Sequence, residues 1–197
     1  MSFRIEEKLL IDKNQIIDFK SFLSSKDLEH VYEPRNINSL YFDNLNYEMY
    51  KDSIEGLTPR KKIRVRNYPK SNDENLYLET KISGVEGRFK TREVISKKNF
   101  NDLTLNGILD SQYGICQPCL SVFYTREYFK IDDVRISIDN NINYQIFGQS
   151  IYRDDETSIV EIKTSIKKDL DKLTRDFPFQ KTRFSKYCNA VEKTIYR

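Results

Sequence analysis

Residues 60–68 read Arg-Lys-Lys-Ile-Arg-Val-Arg-Asn-Tyr, and the alternation in this stretch sets a pattern for the whole chain. The apolar residues Ile63 and Val65 alternate with Lys and Arg. Successive side chains of a β-strand point to opposite faces of the sheet, so the stretch predicts a strand with one apolar and one basic face. An ordinary half-buried strand carries a mixed polar face instead.

Seven further segments show the period-two alternation of a strand, so the sequence predicts eight strands, and in all of them except residues 36–42 the second face is charged. They cover residues 2–11, 36–42, 60–68, 76–83, 87–96, 120–130, 134–140 and 158–165. Helical spacing of apolar residues predicts helices near 13–25, 44–54, 97–109 and 184–195. No repeat or linker rich in Gly, Pro or Ser interrupts the 197 residues, and we expect a single domain over 1–197.

The charged face of these strands is strongly basic. It carries only four acids, which are Glu6, Glu79, Asp139 and Glu161. The whole chain holds 33 basic and 30 acidic residues. A strand face that is simply exposed to solvent should therefore carry nearly equal numbers of acidic and basic residues. The face instead carries twelve Lys or Arg residues, which are Arg4, Lys8, Lys62, Arg64, Arg66, Lys81, Arg88, Lys90, Arg92, Arg126, Arg135 and Lys163.

Two architectures account for a basic strand face. One is an open sheet with its charged face in water, and the other is a closed barrel with an ionic interior. The charge count favours the barrel, because eight strands suffice to close one and a basic interior attracts a polyanion. We therefore predict an α+β fold, an eight-stranded antiparallel β-barrel tunnel with a basic interior, flanked by helices. The few acids would hold a divalent metal.

A series of short motifs resembles one known family, the VTC domain. This is the polyphosphate polymerase domain of the triphosphate tunnel metalloenzyme superfamily, and the match runs in order from residue 3 to about 190. Arg4 stands where the sister CYTH group has the first glutamate of its E-x-E-x-K motif, which favours the VTC branch. The motifs are Arg4-Ile5-Glu6-Glu7-Lys8, Ser39-Leu40-Tyr41-Phe42-Asp43, Lys62-Ile63-Arg64-Val65-Arg66-Asn67-Tyr68, Glu79-Thr80-Lys81, Tyr124-Thr125-Arg126, Arg135-Ile136-Ser137-Ile138-Asp139, Val160-Glu161-Ile162-Lys163 and Arg183-Phe184-Ser185-Lys186-Tyr187.

The resemblance implies a tunnel in which Lys and Arg hold a triphosphate and a carboxylate holds Mn²⁺ or Mg²⁺. It implies an enzyme that moves the γ-phosphate of ATP onto a polyphosphate chain. The eukaryotic polymerases of the family also carry an inositol-phosphate-sensing domain, and their complexes contain membrane helices. We identify neither in this sequence, so a membrane-protein partner is left open.

The site residues follow from the motifs and the strand phase. Arg can meet two phosphate oxygens at once, whereas Lys acts as a point charge. The expected catalytic residues are Lys8, Arg64, Arg66, Lys81, Arg126 and Lys163. Further substrate contacts are expected from Lys62, Lys90, Arg92, Arg135 and Lys186. Glu161 is the first candidate for the metal, and Glu6 and Glu79 are helpers or ion-pair partners that orient an Arg.

Three other functions stay open. An inorganic tripolyphosphatase would use the same tunnel with water as the acceptor. A non-catalytic polyphosphate-binding or polyanion-binding module would hold the same ligand without turnover. A nucleic-acid binder ranks last, because a tunnel would not admit a duplex and the net charge is only +3. The expected partners are therefore ATP, triphosphate and polyphosphate, with no nucleic acid.

The sequence also bears on location. No apolar run approaches the roughly 18–20 residues that a membrane-spanning helix needs. The first residues contain charged side chains and no apolar signal core. We therefore expect a cytoplasmic protein without a transmembrane segment.

Overall fold

The computed structural model describes residues 4–26, 28–149, 151–153, 157–165 and 181–196. Ser2 and Phe3 of the predicted first strand, and the side chain of Arg4, lie outside the described part of the chain. The strands are β1 (Arg4–Asp12), β2 (Glu29–Asp43), β3 (Arg60–Asn67), β4 (Leu76–Gly84), β5 (Gly87–Ile95), β6 (Ile108–Asp110), β7 (Gly114–Ile131), β8 (Val134–Ile146), β9 (Ile151–Arg153) and β10 (Thr157–Ser165). The helices are α1 (Lys13–Ser24), α2 (Glu48–Glu55), α3 (Lys97–Asn106) and α4 (Lys186–Thr194).

The strands form one sheet in the order β1-β10-β8-β7-β2-β3-β4-β5, with β6 paired to β7 and β9 paired to β8. The α+β class and the antiparallel sheet are confirmed. The closed barrel needs correction, because the described pairings run from β1 to β5 without joining these ends into a ring. Alternation along a strand fixes which face each side chain takes, but not whether the first and last strands pair.

Three strands are longer than the sequence predicts. β2 begins at Glu29, β7 begins at Gly114, and β8 continues to Ile146. The first seven residues of β2 are all exposed, so no apolar alternation marks that part of the strand. The short strands β6 and β9 were not predicted, because three residues are too few to show a period.

Two compact units divide the chain, and the first comprises Met1–Arg35, Tyr124–Ile142 and Arg153–Phe184. Its core lies on the strand face opposite the charged side chains, as the alternation predicts. Helix α1 covers this face and begins with a capping box in which the backbone N–H of Asp12 donates to Gln15 Oε1 at 3.4 Å. The buried core residues are Leu9, Ile11, Phe19, Leu23, Phe129, Val134, Ile136, Ile138, Val160 and Ile162.

The second unit comprises Asn36–Phe123, Asn143–Tyr152 and Ser185–Arg197. Ile63 and Val65 of β3 are buried, as their alternation with basic residues predicts. Full burial of an aliphatic or aromatic side chain stabilises a fold by about 1.5–3 kcal/mol. Further buried side chains come from several elements of this unit and include Phe42, Met49, Leu120, Tyr144, Tyr187, Ala190 and Val191.

Candidate functional site

Strands β3, β4 and β5 of the second unit bring basic side chains into rows across the sheet. Lys62 lies opposite Lys81, which in turn lies opposite Lys90. In the next row, Arg64 lies opposite Glu79. Directly opposite residues share one face of the sheet, with Cβ atoms roughly 4.5–5.5 Å apart. We call this the basic face, and its charged members are Arg60, Lys62, Arg64, Arg66, Glu79, Lys81, Arg88, Lys90 and Arg92.

Glu79 lies at the centre of the basic face, with 2% of its surface exposed. Its Oε2 accepts hydrogen bonds from Arg64 Nε at 2.8 Å and Nη2 at 2.6 Å, and its Oε1 accepts one from Lys90 Nζ at 2.6 Å. Arg66 and Arg92 lie 3.9 and 3.7 Å from the same carboxylate. Burial alone would raise the pKa of Glu79, but these cations lower it to about 2. Glu79 therefore acts as the counter-ion that allows like charges to lie side by side.

Strand β2 orients two of these arginines. Arg64 Nη1 donates to Tyr41 Oη at 3.0 Å, and Arg66 Nε donates to Ser39 Oγ at 3.1 Å. Burial would raise the pKa of the Tyr41 phenol, but Arg64, Arg66 and Lys186 together lower it. Ser39 and Tyr41 belong to a motif of the family, but the sequence predicted no role for either residue. Their spacing of two, which matches that of the arginines, is the signal that could have identified them.

Helix α4 begins beside the basic face. Lys62 Nζ donates to Ser185 Oγ at 2.8 Å, and Ser185 is the N-cap residue of the helix. Lys186 is the next residue, and its positive charge is close enough to help lower the pKa of Tyr41. The ring of Tyr187 stacks on that of Tyr41, with centroids 5.0 Å apart and planes 24° apart. The closing motif thus contributes to the same face as the earlier motifs.

Asp43, at the end of β2, anchors two helices. Its carboxylate accepts hydrogen bonds from the backbone N–H groups of Asn44, Met49 and Tyr50, at 2.8, 3.1 and 3.0 Å. The Tyr187 hydroxyl of α4 donates to the same carboxylate. Burial raises the pKa of Asp43, and these hydrogen bonds oppose the rise. Asp43 therefore has a structural task, which is to join α2 and α4 to the sheet.

The first unit contains a separate charged cluster, which we call the Glu161 cluster. Glu161 Oε1 lies 3.0 Å from Lys163 Nζ, and its Oε2 lies 3.5 Å from Arg126 Nη2. Arg126 is held by the fully buried Asp139, to which its Nε and Nη2 donate at 2.5 and 2.7 Å. Despite burial, the attraction of Asp139 raises the pKa of Arg126 further. Asp139 therefore fixes the orientation of Arg126 beside Glu161.

Strand β1 adds Glu6 and Lys8 to the Glu161 cluster. Lys8 lies opposite Glu161 and Glu6 lies opposite Lys163 in the pairing with β10. Lys8 Nζ lies 3.5 Å from Glu6 Oε1 and donates to the backbone oxygen of Phe184 at 3.0 Å. Burial would raise the pKa of Glu161, but hydrogen bonding with Glu6 and the surrounding cations hold it well below its usual range.

Glu6 and Glu161 fit a divalent cation better than Glu79 does. Mg²⁺ usually takes one or two protein carboxylates and completes its shell with water and phosphate oxygens. Glu161 has the second carboxyl group of Glu6 beside it, whereas Glu79 accepts hydrogen bonds from Arg64 and Lys90, which favours the ion-pair role for Glu79. Among the described residues, no group of three or more His, Cys, Asp or Glu is placed to share a metal. A cation at Glu161 and Glu6 would complete its shell with water or with oxygens of a bound phosphate.

Most of the predicted site residues lie either on the basic face or in the Glu161 cluster. Their roles in binding phosphate or metal remain predictions. Arg135 is exposed and lies opposite Lys163 on β8. Lys8, Arg126, Lys163, Glu6 and Glu161 form the Glu161 cluster. The basic face carries Lys62, Arg64, Arg66, Lys81, Lys90, Arg92 and Glu79, with Lys186 beside it.

The sequence profile of the VTC domain family matches residues 3–195, which confirms the resemblance that the motifs carry. No curated protein sequence is significantly similar to the chain. Each helix in the described part of the chain is too short or too polar to cross a bilayer.

Three solved structures that are similar to the chain in fold are distant from it in sequence. A candidate adenylate cyclase from Bacillus halodurans is 13% identical over 98% of each chain, with a TM-score of 0.63. HpAC1 from Hippeastrum, a candidate adenylyl cyclase with a dominant triphosphatase activity, is 14% identical over 99% of this chain and 97% of its own, also with a TM-score of 0.63. The Mediator head module of Schizosaccharomyces pombe is 10% identical over 88% and 95%, with a TM-score of 0.54. At such identities the likeness establishes the fold alone.

Proposed function

The chain belongs to the VTC domain family, and from that premise we propose that it is a polyphosphate polymerase that moves the γ-phosphate of ATP onto a polyphosphate chain. We also propose that residues 1–197 are one VTC domain, because the family match spans both compact units. The observation that carries the activity is the basic face, on which the paired positions of β3, β4 and β5 bring together eight Lys or Arg residues and one Glu. Such a concentration of positive charge attracts a polyanion.

The spacing of the basic face favours a chain of phosphates over a single one. Rows two residues apart on a strand are separated by roughly 6.6 Å. Lys62, Lys81 and Lys90 form one row, and Arg64 and Arg92 lie in the next. A linear phosphate chain carries negative charge along its whole length, so it can meet successive rows at once.

The face is also organised before the ligand arrives. Arg64 is fixed by Glu79 on one side and by Tyr41 on another. Phosphoryl transfer depends mainly on positioning and on neutralising charge in the transition state. Donors that are already oriented provide this stabilisation without reorganising during the reaction.

In the first unit, Glu161 and Glu6 are the residues that would hold Mn²⁺ or Mg²⁺. The ion, when bound, supplies neutralisation of charge on phosphoryl oxygens. Arg126, held by Asp139, directs its guanidinium toward Glu161 and would contribute positive charge to a phosphate bound there. Lys163 adds a further positive charge at 3.0 Å from Glu161.

An inorganic tripolyphosphatase is the second candidate. The dominant triphosphatase activity given for the Hippeastrum protein, which shares the fold, favours this alternative. The two reactions differ in whether a phosphate chain or water accepts the phosphoryl group. A binding module without turnover is the third candidate, since the basic face by itself explains affinity and not chemistry.

The test is incubation of the protein with γ-labelled ATP and Mn²⁺, followed by gel separation of the products. We expect acid-stable chains that an exopolyphosphatase degrades. Release of orthophosphate alone, from tripolyphosphate, would support the hydrolase. Retained polyphosphate binding without any turnover would support the binding module, and absence of tripolyphosphate binding would contradict all three.

A further inference from the structure

An aromatic and apolar row follows the basic rows on the same face of the second unit. Arg66 lies opposite Tyr77, which lies opposite Val94. Tyr68 directly follows β3, and its ring meets that of Tyr77 edge-on, with centroids 6.0 Å apart. We call Tyr68, Tyr77 and Val94 the aromatic row. Val94 is 62% exposed and both tyrosines are half-buried, so a ligand can reach the row.

Arg92 connects the aromatic row to the basic face. Its Nε lies 3.7 Å from Glu79 Oε1, and its Cζ lies 3.6 Å from the centroid of the Tyr77 ring. Tyr68 is a second aromatic neighbour, 5.9 Å from the same carbon. The side chain of Arg92 remains 41% exposed. A guanidinium that rests on one aromatic ring and still reaches solvent can stack against a second planar group.

The far side of the aromatic row is acidic. The Tyr77 hydroxyl donates to Asp73 Oδ2 at 2.8 Å and lies 3.0 Å from Oδ1. Burial of Asp73 is slight, and hydrogen bonds from Tyr77 and Asn75 lower its pKa. An ionised carboxylate disfavours a phosphate at this end. The face is therefore polarised, with cations for phosphates at one end and rings beside an acid at the other.

We propose that the aromatic row and Arg92 form the subsite for the nucleobase of a nucleoside triphosphate donor, whose phosphates lie on the adjoining basic rows. The proposal rests on the proposed function, because it requires a triphosphate on the basic face. Along β3 the rows of Arg66, Arg64 and Lys62 follow at intervals of roughly 6.6 Å, so an extended nucleotide can reach from the rings to the lysines. Stacking tolerates every base, and we expect ATP and GTP to bind within about threefold of each other.

The test compares binding of a β,γ-imido analogue of ATP with binding of inorganic tripolyphosphate, by calorimetry at fixed ionic strength. Tyr77→Leu keeps an apolar side chain but removes the ring. We expect it to weaken the nucleotide by roughly five- to thirtyfold and to leave tripolyphosphate within about twofold. Tyr77→Phe keeps the ring and should bind both ligands like the wild type. Phe89→Leu, on the opposite face of β5, is the matched control and should change neither affinity.

Equal weakening of both ligands by Tyr77→Leu would mean that the ring only supports the strands, and it would overturn the inference. Failure of the wild type to bind either ligand would instead contradict the proposed function. Circular dichroism shows whether Tyr77→Leu is folded. If it is not, photocrosslinking of the wild type with 8-azido-ATP replaces it. Label in peptides that contain Tyr68, Tyr77 or Arg92 is expected, and label confined to other peptides would refute the proposal.

Discussion

The Tyr187 hydroxyl donates a hydrogen bond to the Asp43 carboxylate, with 2.5 Å between the two oxygens and a separation of 144 positions along the chain. Both side chains are buried. The bond fixes α4 at the end of β2, and Lys186 lies next to the tyrosine. This bond therefore joins the hydrogen bond from Lys62 to Ser185 and the stacking of Tyr187 on Tyr41 in holding Lys186 beside the basic face.

Removing that contact should cost stability. Tyr187→Phe keeps the ring stacked on Tyr41 but deletes the donor to Asp43. Because hydrogen bonds to charged groups contribute about 1.5–3 kcal/mol, we expect the free energy of unfolding in urea to fall by that amount. Tyr196→Phe, at a ring that is 54% exposed, is the control and should stay within about 0.5 kcal/mol of the wild type. Equal stability of Tyr187→Phe and the wild type would contradict the assignment.

Glu79→Gln should separate folding from ligand binding. Without ligand, the cations around Glu79 lose their counter-ion, and we expect a loss of about 2–4 kcal/mol, discounted for the exposure of Lys90 and Arg92. Tripolyphosphate replaces the missing charge, so it should raise the thermal midpoint of the variant more than that of the wild type. Glu93→Gln, on the opposite face of β5, is the control. Loss of Mn²⁺ binding in Glu79→Gln would show that Glu79 holds the metal after all.

Acid should weaken the fold through the same carboxylate. The pKa of Glu79 is about 2 in the folded protein, against 4.5 for an unperturbed group. The unfolded state therefore binds more protons in this range, and the stabilisation of about 3 kcal/mol is complete above pH 4.5 and lost as the pH falls toward 2. Urea midpoints at several pH values should fall less steeply in Glu79→Gln than in the wild type. Parallel curves would assign the acid sensitivity to other groups, such as Glu161.

Arg66 is a test of the phosphate-binding role. Arg66→Ala should weaken tripolyphosphate binding by about 2–3 kcal/mol, because charge-assisted hydrogen bonds in a partly buried site are lost. Arg66→Lys restores the charge but not the planar fork, so its affinity should lie between the two. Lys98→Ala, on the exposed part of α3, should leave the affinity unchanged. Full affinity in Arg66→Ala would show that Arg66 does not touch the ligand.

Glu161→Gln tests the metal role. The variant keeps its shape and should still bind polyphosphate in metal-free buffer, since removal of a negative charge cannot weaken attraction to an anion. We expect loss of most turnover, and excess Mn²⁺ should recover only part of it. Electron paramagnetic resonance of bound Mn²⁺ should show reduced occupancy. Turnover like that of the wild type at low metal would make Glu161 an ion-pair partner, and the metal would then be sought at Glu6.

The sequence could predict which face of each strand is buried, because alternating apolar residues mark the buried face. Ile63 and Val65 had to face the core, and the arginines between them then had to share the other face. Val160 and Ile162 likewise lie in the core, and Glu161 between them points away from it, as the alternation predicts. The phase therefore identified which side chains could meet, before any pairing was known.

Contacts between distant segments were less predictable. The spacing of Ser39 and Tyr41 matches that of the arginines, but it does not show that Tyr41 accepts from Arg64, since the contact depends on the register of β2 against β3. The sequence also could not show which of Glu79 and Glu161 is better placed to hold a metal, because the two residues occupy similar positions in their strands. Only the three-dimensional structure shows that Lys90 and Arg64 saturate the carboxylate of Glu79.

The long chain between Asp43 and Tyr187 has a consequence for biosynthesis. Met49 and Tyr50 reach the carboxylate within seven residues of it, so those bonds can form while the chain is still being made. Tyr187 emerges from the ribosome much later, and closing so long a loop is entropically costly. Until then the surface that α4 covers stays exposed on the nascent chain. A ribosome that stalls before residue 187 therefore presents chaperones with an incomplete fold.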